Sequence, residues 1–377
     1  MKLLYILKHN PWGIGGGCYA CRNYLELFTE LFKDSCFDVL MCSEYLEGRT
    51  SKDFVNCTFY PVSPRNKISQ YLSPVTQILH RHQRVAISMI EKNQYDYCIF
   101  DHNSIAGSLV GICKKKGIKT IVLNHNCELE YFRDNNSWLK NLLLLPSVRK
   151  NERKAYLECD YNIFLTDEDR DLFKNIYGES GTKTVVGGCF LRKGDVINHS
   201  VTPFNAACVK LVISGTIGNV QNRDGINFFL NELYEYLPEN IEVVITGRNP
   251  TEEIIKKVAK LKNVSIIANP ADILEIVGKC DVLVCPTRLG GGMKLRLIDG
   301  LRSGLPVISH KVSARGYTAF VDKGIVCQFE TAEEFGSCLV KVIDLIQNGK
   351  IDKTIIGKCA EDIFSFEAAL KRLKIDD

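Results

Sequence analysis

Short apolar runs alternate with amphipathic helical stretches along almost the whole chain, and this alternation limits the fold more than any other feature. Strands are predicted at Lys2–Leu7, Asp38–Cys42, Tyr97–Phe100, Thr120–Asn124, Asn162–Thr166, Leu211–Ser214, Val243–Thr246, Val264–Ile267, Val282–Cys285 and Val307–Ser309. Helical periodicity fills the intervals, as in Tyr19–Phe32, Ser104–Lys115, Ile226–Tyr236, Glu252–Leu261 and Lys294–Ser303. Strands apolar on both faces and separated by helices specify parallel sheets covered on both sides, an α/β architecture. A chain of 377 residues exceeds one ordinary core, so two domains are expected. The rhythm lapses in the polar stretch Arg192–Asn205 and resumes at Val209. The predicted division is two Rossmann-like domains, residues 1–195 and 206–355, with a C-terminal helix in 356–377 packing back on the first. Ligands of such sheets gather at the carboxyl ends of the strands, which puts the expected site in a cleft between the two parallel sheets.

Composition narrows the setting. The net charge of +4 is thin over this length and does not point to nucleic acid. The 16 cysteines are scattered, many inside apolar runs such as those holding Cys98, Cys280 and Cys285, where a reduced thiol packs as a small hydrophobe. Cys18 and Cys21 form a C-x-x-C with no second pair at zinc-ribbon distance. No bound metal and no cofactor are expected. The opening apolar run is cut short by Lys8 and His9, and no run reaches the ~20 residues that span a bilayer. The expected location is the cytoplasm, at most peripheral on the inner face of the membrane.

The segment Pro286 to Gly300 carries the strongest chemical signal. An apolar strand ends at Cys285, Gly290, Gly291 and Gly292 follow, and after Met293 a helix opens with Lys294 in its first turn. Glycine lets the backbone approach a ligand, and a helix start offers unpaired N–H groups with partial positive charge. With a lysine added, the arrangement suits a diphosphate. Asp299 lies more than one helical turn beyond Lys294 and is placed to accept from a ribose.

This segment resembles the donor domain of nucleotide-sugar glycosyltransferases with the two-Rossmann-domain GT-B fold, and within them the large retaining family 4. The matching residues are Gly290 to Lys294, Asp299, Ser303-Gly304-Leu305-Pro306-Val307 and Ala314-Arg315-Gly316. The resemblance implies that Gly291 to Lys294 lie on the diphosphate, that Lys294 neutralises it, and that Asp299 stands where the family's glutamate holds the donor ribose. The family's earlier glutamate would align near Gly291 and is missing. Leu211 to Gly218, followed by Asn222 to Leu230, resembles the start of the same domain, with Gly215 in its turn. Many relatives place an arginine and a lysine where Thr216 and Asp224 stand. Arg223 and Arg296 are then candidate donor contacts, and Arg248, after the next strand, is another.

The N-terminal half carries acceptor-side features. Gly15, Gly16 and Gly17 resemble the family's N-terminal glycine loop. His125-Asn126-Cys127-Glu128 resembles the H-N-x-E variant of a bacterial subset, in which the histidine hydrogen-bonds the transferred sugar. His125 therefore joins Lys294 and Asp299 as the expected catalytic residues. Asn126 and His102 are acceptor-side candidates, and Glu128 fits either an acceptor contact or a helix start. Thr166 reads as a helix N-cap more readily than as a ligand contact. Arg65–Arg84 and Trp138–Lys154 mix basic and apolar residues. They fit an interior helix with a basic rim, or contact with an anionic membrane carrying a lipid-linked acceptor.

The reaction implied is metal-independent transfer of a sugar from a nucleoside diphosphate sugar to a hydroxyl of a glycan or lipid-linked acceptor, in polysaccharide biosynthesis. Retention comes from the resemblance alone. A nonhydrolysing sugar-nucleotide epimerase has the same double plan, and a non-catalytic nucleotide-sugar-binding partner remains an alternative.

Overall fold

A computed structural model describes residues 1–13, 15–45, 54, 56–63, 80–195, 203–205 and 207–375. The chain divides into two units, Met1–Lys193 with Ala369–Asp377, and Gly194–Ala368. Among the described residues, the first holds a seven-stranded sheet in the order β3-β2-β1-β4-β5-β6-β7 and the second a six-stranded sheet in the order β10-β9-β8-β11-β12-β13. Every pairing is parallel.

In the first unit the strands are β1 (Lys2–Ile6), β2 (Cys36–Cys42), β3 (Cys57–Val62), β4 (Tyr97–Phe100), β5 (Lys119–Asn124), β6 (Tyr161–Phe164) and β7 (Lys183–Val186). Its helices are α1 (Gly16–Leu31), α2 (His80–Lys92), α3 (Asn103–Ala106), α4 (Val110–Lys115), α5 (Glu128–Asn135), α6 (Trp138–Glu158) and α7 (Asp167–Tyr177). The second unit has β8 (Lys210–Thr216), β9 (Glu242–Arg248), β10 (Val264–Ala268), β11 (Val282–Cys285), β12 (Val307–His310) and β13 (Val326–Phe329). Its helices are α8 (Val220–Phe228), α9 (Glu252–Val258), α10 (Ile273–Gly278), α11 (Leu295–Arg302), α12 (Thr318–Asp322), α13 (Ala332–Gln347) and α14 (Lys353–Phe364). The last helix, α15 (Phe366–Arg372), crosses the division at Ala369. In the first unit Arg372 donates to the Gly187 carbonyl at 3.0 Å.

Each predicted strand is present. The three that periodicity does not reveal, β3, β7 and β13, all lie at sheet edges. All three are partly exposed, so they need no continuous apolar run; β3 even contains Pro61. The central strands β1, β4, β8 and β11 are buried along nearly their whole length. The predicted helix 104–115 is two helices, broken around Gly107, where an added Cβ would collide with the Asn151 carbonyl. That close approach of α3 to α6 requires glycine.

Three sequence expectations need correction or bounding. Trp138, Leu139, Leu142 and Leu143 are 57–75% exposed, so the first half of α6 is not an interior helix. Lys294 is the N-cap residue of α11 rather than part of its first turn. Of the basic stretch Arg65–Arg84, residues 65–79, with Lys67, Ile68, Tyr71, Leu72 and Leu79, lie outside the described residues, as do Ile14 and 196–202 of the expected linker. Thr166 caps α7, accepting from the Asp169 N–H at 3.0 Å.

Candidate active site

In the first sheet β1 has β2 on one side and β4 on the other, with β5 next. Chain order reverses between β1 and β4, the switch point at which doubly wound sheets open a crevice beyond their carboxyl ends. The residues just past β1, β4 and β5 are Lys8 and His9, Asp101 and His102, and His125. His102 and His125 stack with centroids 5.3 Å apart and planes 14° from parallel. His9 meets both edge-on, at 5.9 and 6.3 Å. Each stacked imidazole has its own carboxylate: His102 Nε2 lies 3.3 Å from Glu128 Oε1, and His125 Nε2 lies 3.4 Å from Asp101 Oδ1. Lys8 Nζ reaches Glu128 Oε2 at 3.6 Å.

A backbone donor sets the tautomer of His102, whose Nε2 also has Lys8 Nζ at 3.3 Å. Its Nδ1 accepts from the Ser104 N–H at 3.2 Å, so in the neutral ring the proton sits on Nε2, facing Glu128. Burial holds the imidazole well below its ordinary pKa, and Lys8, His125 and His9 add to the effect. Burial likewise lowers His9 to about 4, with Asp101 opposing. The lysine itself is lowered by burial, against the pull of Glu128 and Asp101. His125 and Glu128 are buried. The cluster sets three imidazoles, His9 and His102 among them held neutral by burial, beside two acidic side chains, an arrangement suited to exchanging hydrogen bonds with hydroxyl groups. Gly15 is the N-cap of α1 with φ of +135°, and Gly15 and Gly16 are exposed. A Cβ on Gly17 would come within 3.2 Å of His9 Nε2. Asn126 contributes its carbonyl to Asn103 Nδ2 at 3.1 Å.

The second unit has its own switch point, between β8 and β11. Gly215 and the turn Pro286–Gly292 flank it. Gly290 and Gly292 have φ of +82° and +68°, conformations that side chains resist. Lys294 Nζ donates to the Gly291 carbonyl at 3.0 Å, and Tyr317 Oη donates to the Lys294 carbonyl at 2.7 Å. Arg296 reaches back over the β8 turn. Its Nη1 is 3.4 Å from Thr287 Oγ1, its Nη2 donates to Asn222 Oδ1, and a Cβ on Gly215 would lie 3.1 Å from its guanidinium carbon. Asp299 is 31% exposed, with its Oδ1 3.4 Å from Arg302 Nε. Burial raises its carboxyl to about 6, opposed by Arg302 and Arg296.

The structure thus brings Gly215, Gly290 to Lys294 and Arg296 to one switch point, and His102, His125 and Glu128 to the other. Arg223 stands half-buried early in α8, and Arg248 is exposed at the end of β9, beside Thr216 in register. Neither joins the Arg296 cluster through a contact described above. Sequence reasoning overlooked Arg288, which donates to Asp224 at 3.0 Å and lies 4.5 Å over the Phe228 ring. It also assigned no role to Asp101, which lies beside His125. Both relationships join residues distant in sequence, and no local pattern marks them.

Residues 210–345 match the family model described as Glycosyl transferases group 1. Among solved structures, Anabaena HepE in complex with UDP is similar at 13% identity over 99% of this chain and 98% of its own, with a TM-score of 0.67. Sucrose-phosphate synthase from Thermosynechococcus elongatus is similar at 11% identity over 99% and 97%, with a TM-score of 0.72. WaaG, a glycosyltransferase involved in lipopolysaccharide biosynthesis, is similar at 14% identity over 99% and 100%, with a TM-score of 0.63. No curated protein sequence matches the chain. These likenesses show the GT-B fold, and the group 1 domain covers most of the unit that holds the triple-glycine turn.

Proposed function

We propose that this chain, a glycosyltransferase by its group 1 domain, moves a sugar from a nucleoside diphosphate sugar to a hydroxyl of a glycan or lipid-linked acceptor, with retention of configuration. One observation carries the reading. Lys294 at the N-cap of α11 and the Arg296 guanidinium over Gly215 converge on the two glycine turns of one switch point. As the glycosidic bond breaks, negative charge grows on the leaving diphosphate. Fixed cations and open backbone N–H groups stabilise it where it forms, so protein groups supply the charge that a metal supplies elsewhere. The lysine and arginine that many relatives place at Thr216 and Asp224 are absent here, and Arg296 stands in from the opposite side of the turn. Asp299 is the ribose acceptor, and His125 the hydrogen-bond partner of the transferred sugar.

The acceptor reading draws on α6. Four large apolar side chains in its first turns face outward, with Lys140, Arg149, Lys150 and Arg153 exposed on the same helix. Apolar residues rimmed by cations suit an anionic membrane surface. Among the described residues, no helix is long and apolar enough to cross a membrane.

The test is thermal stabilisation by nucleotides and nucleotide sugars, starting with UDP, which HepE binds in its complex. Ligand binding to the native state raises its stability. Lys294→Ala is expected to abolish both the shift and turnover; affinity and rate near wild type would show the site to be misplaced. Anomeric NMR of the product distinguishes retention from inversion, and donor altered without any acceptor would reveal an epimerase.

A further inference from the structure

Helix α6 sends two consecutive side chains beneath the histidine cluster. Asn151 donates through Nδ2 to the carbonyls of Asn103 at 3.3 Å and Ser104 at 3.0 Å, at the start of α3. Glu152 is 1% exposed. It accepts from the backbone N–H of Glu128 at 2.7 Å and of Leu129 at 3.4 Å, from Asn103 Nδ2 at 2.9 Å and from Tyr177 Oη at 2.6 Å. Helix α5 has Cys127 at its N-cap, with no side-chain cap of its own. The Glu152 carboxylate fills that role from a different helix.

These two residues bind together the segments that bear the histidine–carboxylate pairs. Asp101 and His102 immediately precede α3, and Glu128 is the first residue of α5. Asn103 links them, donating both to Glu152 and to the Asn126 carbonyl. The donors to Glu152 are neutral groups, and a buried carboxylate served only by such donors is costly. Burial raises it to about 7, although Tyr177 and the Glu128 N–H pull the other way. An apolar residue of similar size fills space without that cost. An acceptor for several converging donors calls for the carboxylate.

We propose that Glu152 is a positioning residue for sugar transfer: its carboxylate, capping α5 and holding Asn103 of α3, sets Glu128 against His102 and Lys8 and keeps the adjoining Asp101–His125 pair in place. This rests on the reading of the cluster as the sugar side of a glycosyltransferase site. Glu152 touches none of the reacting groups and acts through the residues it holds.

The experiment uses Glu152→Gln and the milder Tyr177→Phe in the full chain. Glu152→Gln is expected to lower kcat at least tenfold, with KM for the nucleotide sugar within twofold and the thermal midpoint within a few degrees. The imidazole ¹⁵N signals of His102 are expected to move in the substrate-free protein. Tyr177→Phe is expected to lower kcat severalfold with the same unchanged KM. Wild-type kcat and His102 signals in Glu152→Gln would overturn the proposal, and so would a rate loss that only tracks the loss of folded protein. If Glu152→Gln fails to fold, Tyr177→Phe decides, and an unchanged rate and unchanged His102 signals there overturn it. Because the NMR signals need no substrate, their movement in the variant of a chain that transfers no sugar would refute the glycosyltransferase reading, not the clamp.

Discussion

His102 and His125 lie face to face, 5.3 Å between centroids, with Glu128 on the first ring and Asp101 on the second. A neutral His102 stacks on its neighbour without the repulsion that two imidazolium ions in the same place would meet. Burial and Lys8 keep His102 on the neutral side. His125→Ala is expected to reduce kcat about 10- to 100-fold, the loss of one or two buried hydrogen bonds in the transition state. His102→Ala should do less, because the Glu128 it leaves retains Lys8. Steady-state kinetics at fixed saturating donor measure both.

Gly215 and Arg296 form a second pair. With φ of +139° and the guanidinium carbon 3.1 Å from its missing Cβ, Gly215→Ala must strain the turn and displace Arg296. Nucleotide affinity is expected to fall about tenfold or more, and by a similar factor in Arg296→Ala. The double variant should be little worse than either single one, since both remove the same contact. Calorimetry on the three variants reads this, and full additivity would separate the two residues.

Much of this was legible beforehand. Both-face burial writes a continuous apolar run into β1, β4, β8 and β11, and the glycines of 290–292 mark their own turn. The partly exposed strands β3, β7 and β13 write no such run, which is why they were silent. The Arg288–Asp224 pair and the Glu152 clamp on the Glu128 N–H join groups 64 and 24 positions apart in sequence. Only the folded chain joins them, and Glu152 sits in a basic stretch whose sequence gives no sign of its buried partners.

Two carboxyls give opposed pH expectations for stability and function. Glu152 rises from an ordinary 4.5 to about 7, and Asp299 from 3.8 to about 6. The folded chain therefore holds these protons at pH values where the unfolded chain has lost them, so their contribution to stability falls as pH rises through each interval. Function is expected to run the other way, because capping α5 and the ribose contact proposed for Asp299 both use the ionised form. Nucleotide affinity is expected to climb through about pH 6, and kcat through about pH 7. The groups facing Glu152 are Lys8, Cys127, Glu128 and Tyr177, and Glu152→Gln should erase the second limb alone. Titrations of Kd and of kcat against pH check the two limbs separately.

Replacing Leu142 and Leu143 together by glutamate should abolish sedimentation with anionic vesicles. Each exposes most of its side chain, so folding stability should change by no more than about 0.5 kcal/mol. Transfer to a water-soluble acceptor should be unaffected. Equal vesicle binding by the variant would remove α6 as the contact.

Helix α6 carries its outward-facing leucines near one end and Asn151 and Glu152 towards the other, on a single rod with Pro146 between them. Each residue of such a rod turns the chain by about 100° and advances it about 1.5 Å. One amino acid gained or lost between Pro146 and Asn151 would swing the greasy tip a quarter-turn or more away from its present bearing while leaving both ends chemically intact. On the roles proposed for its two ends, their relative bearing would survive only changes close to a whole number of turns, about 3.6 residues each.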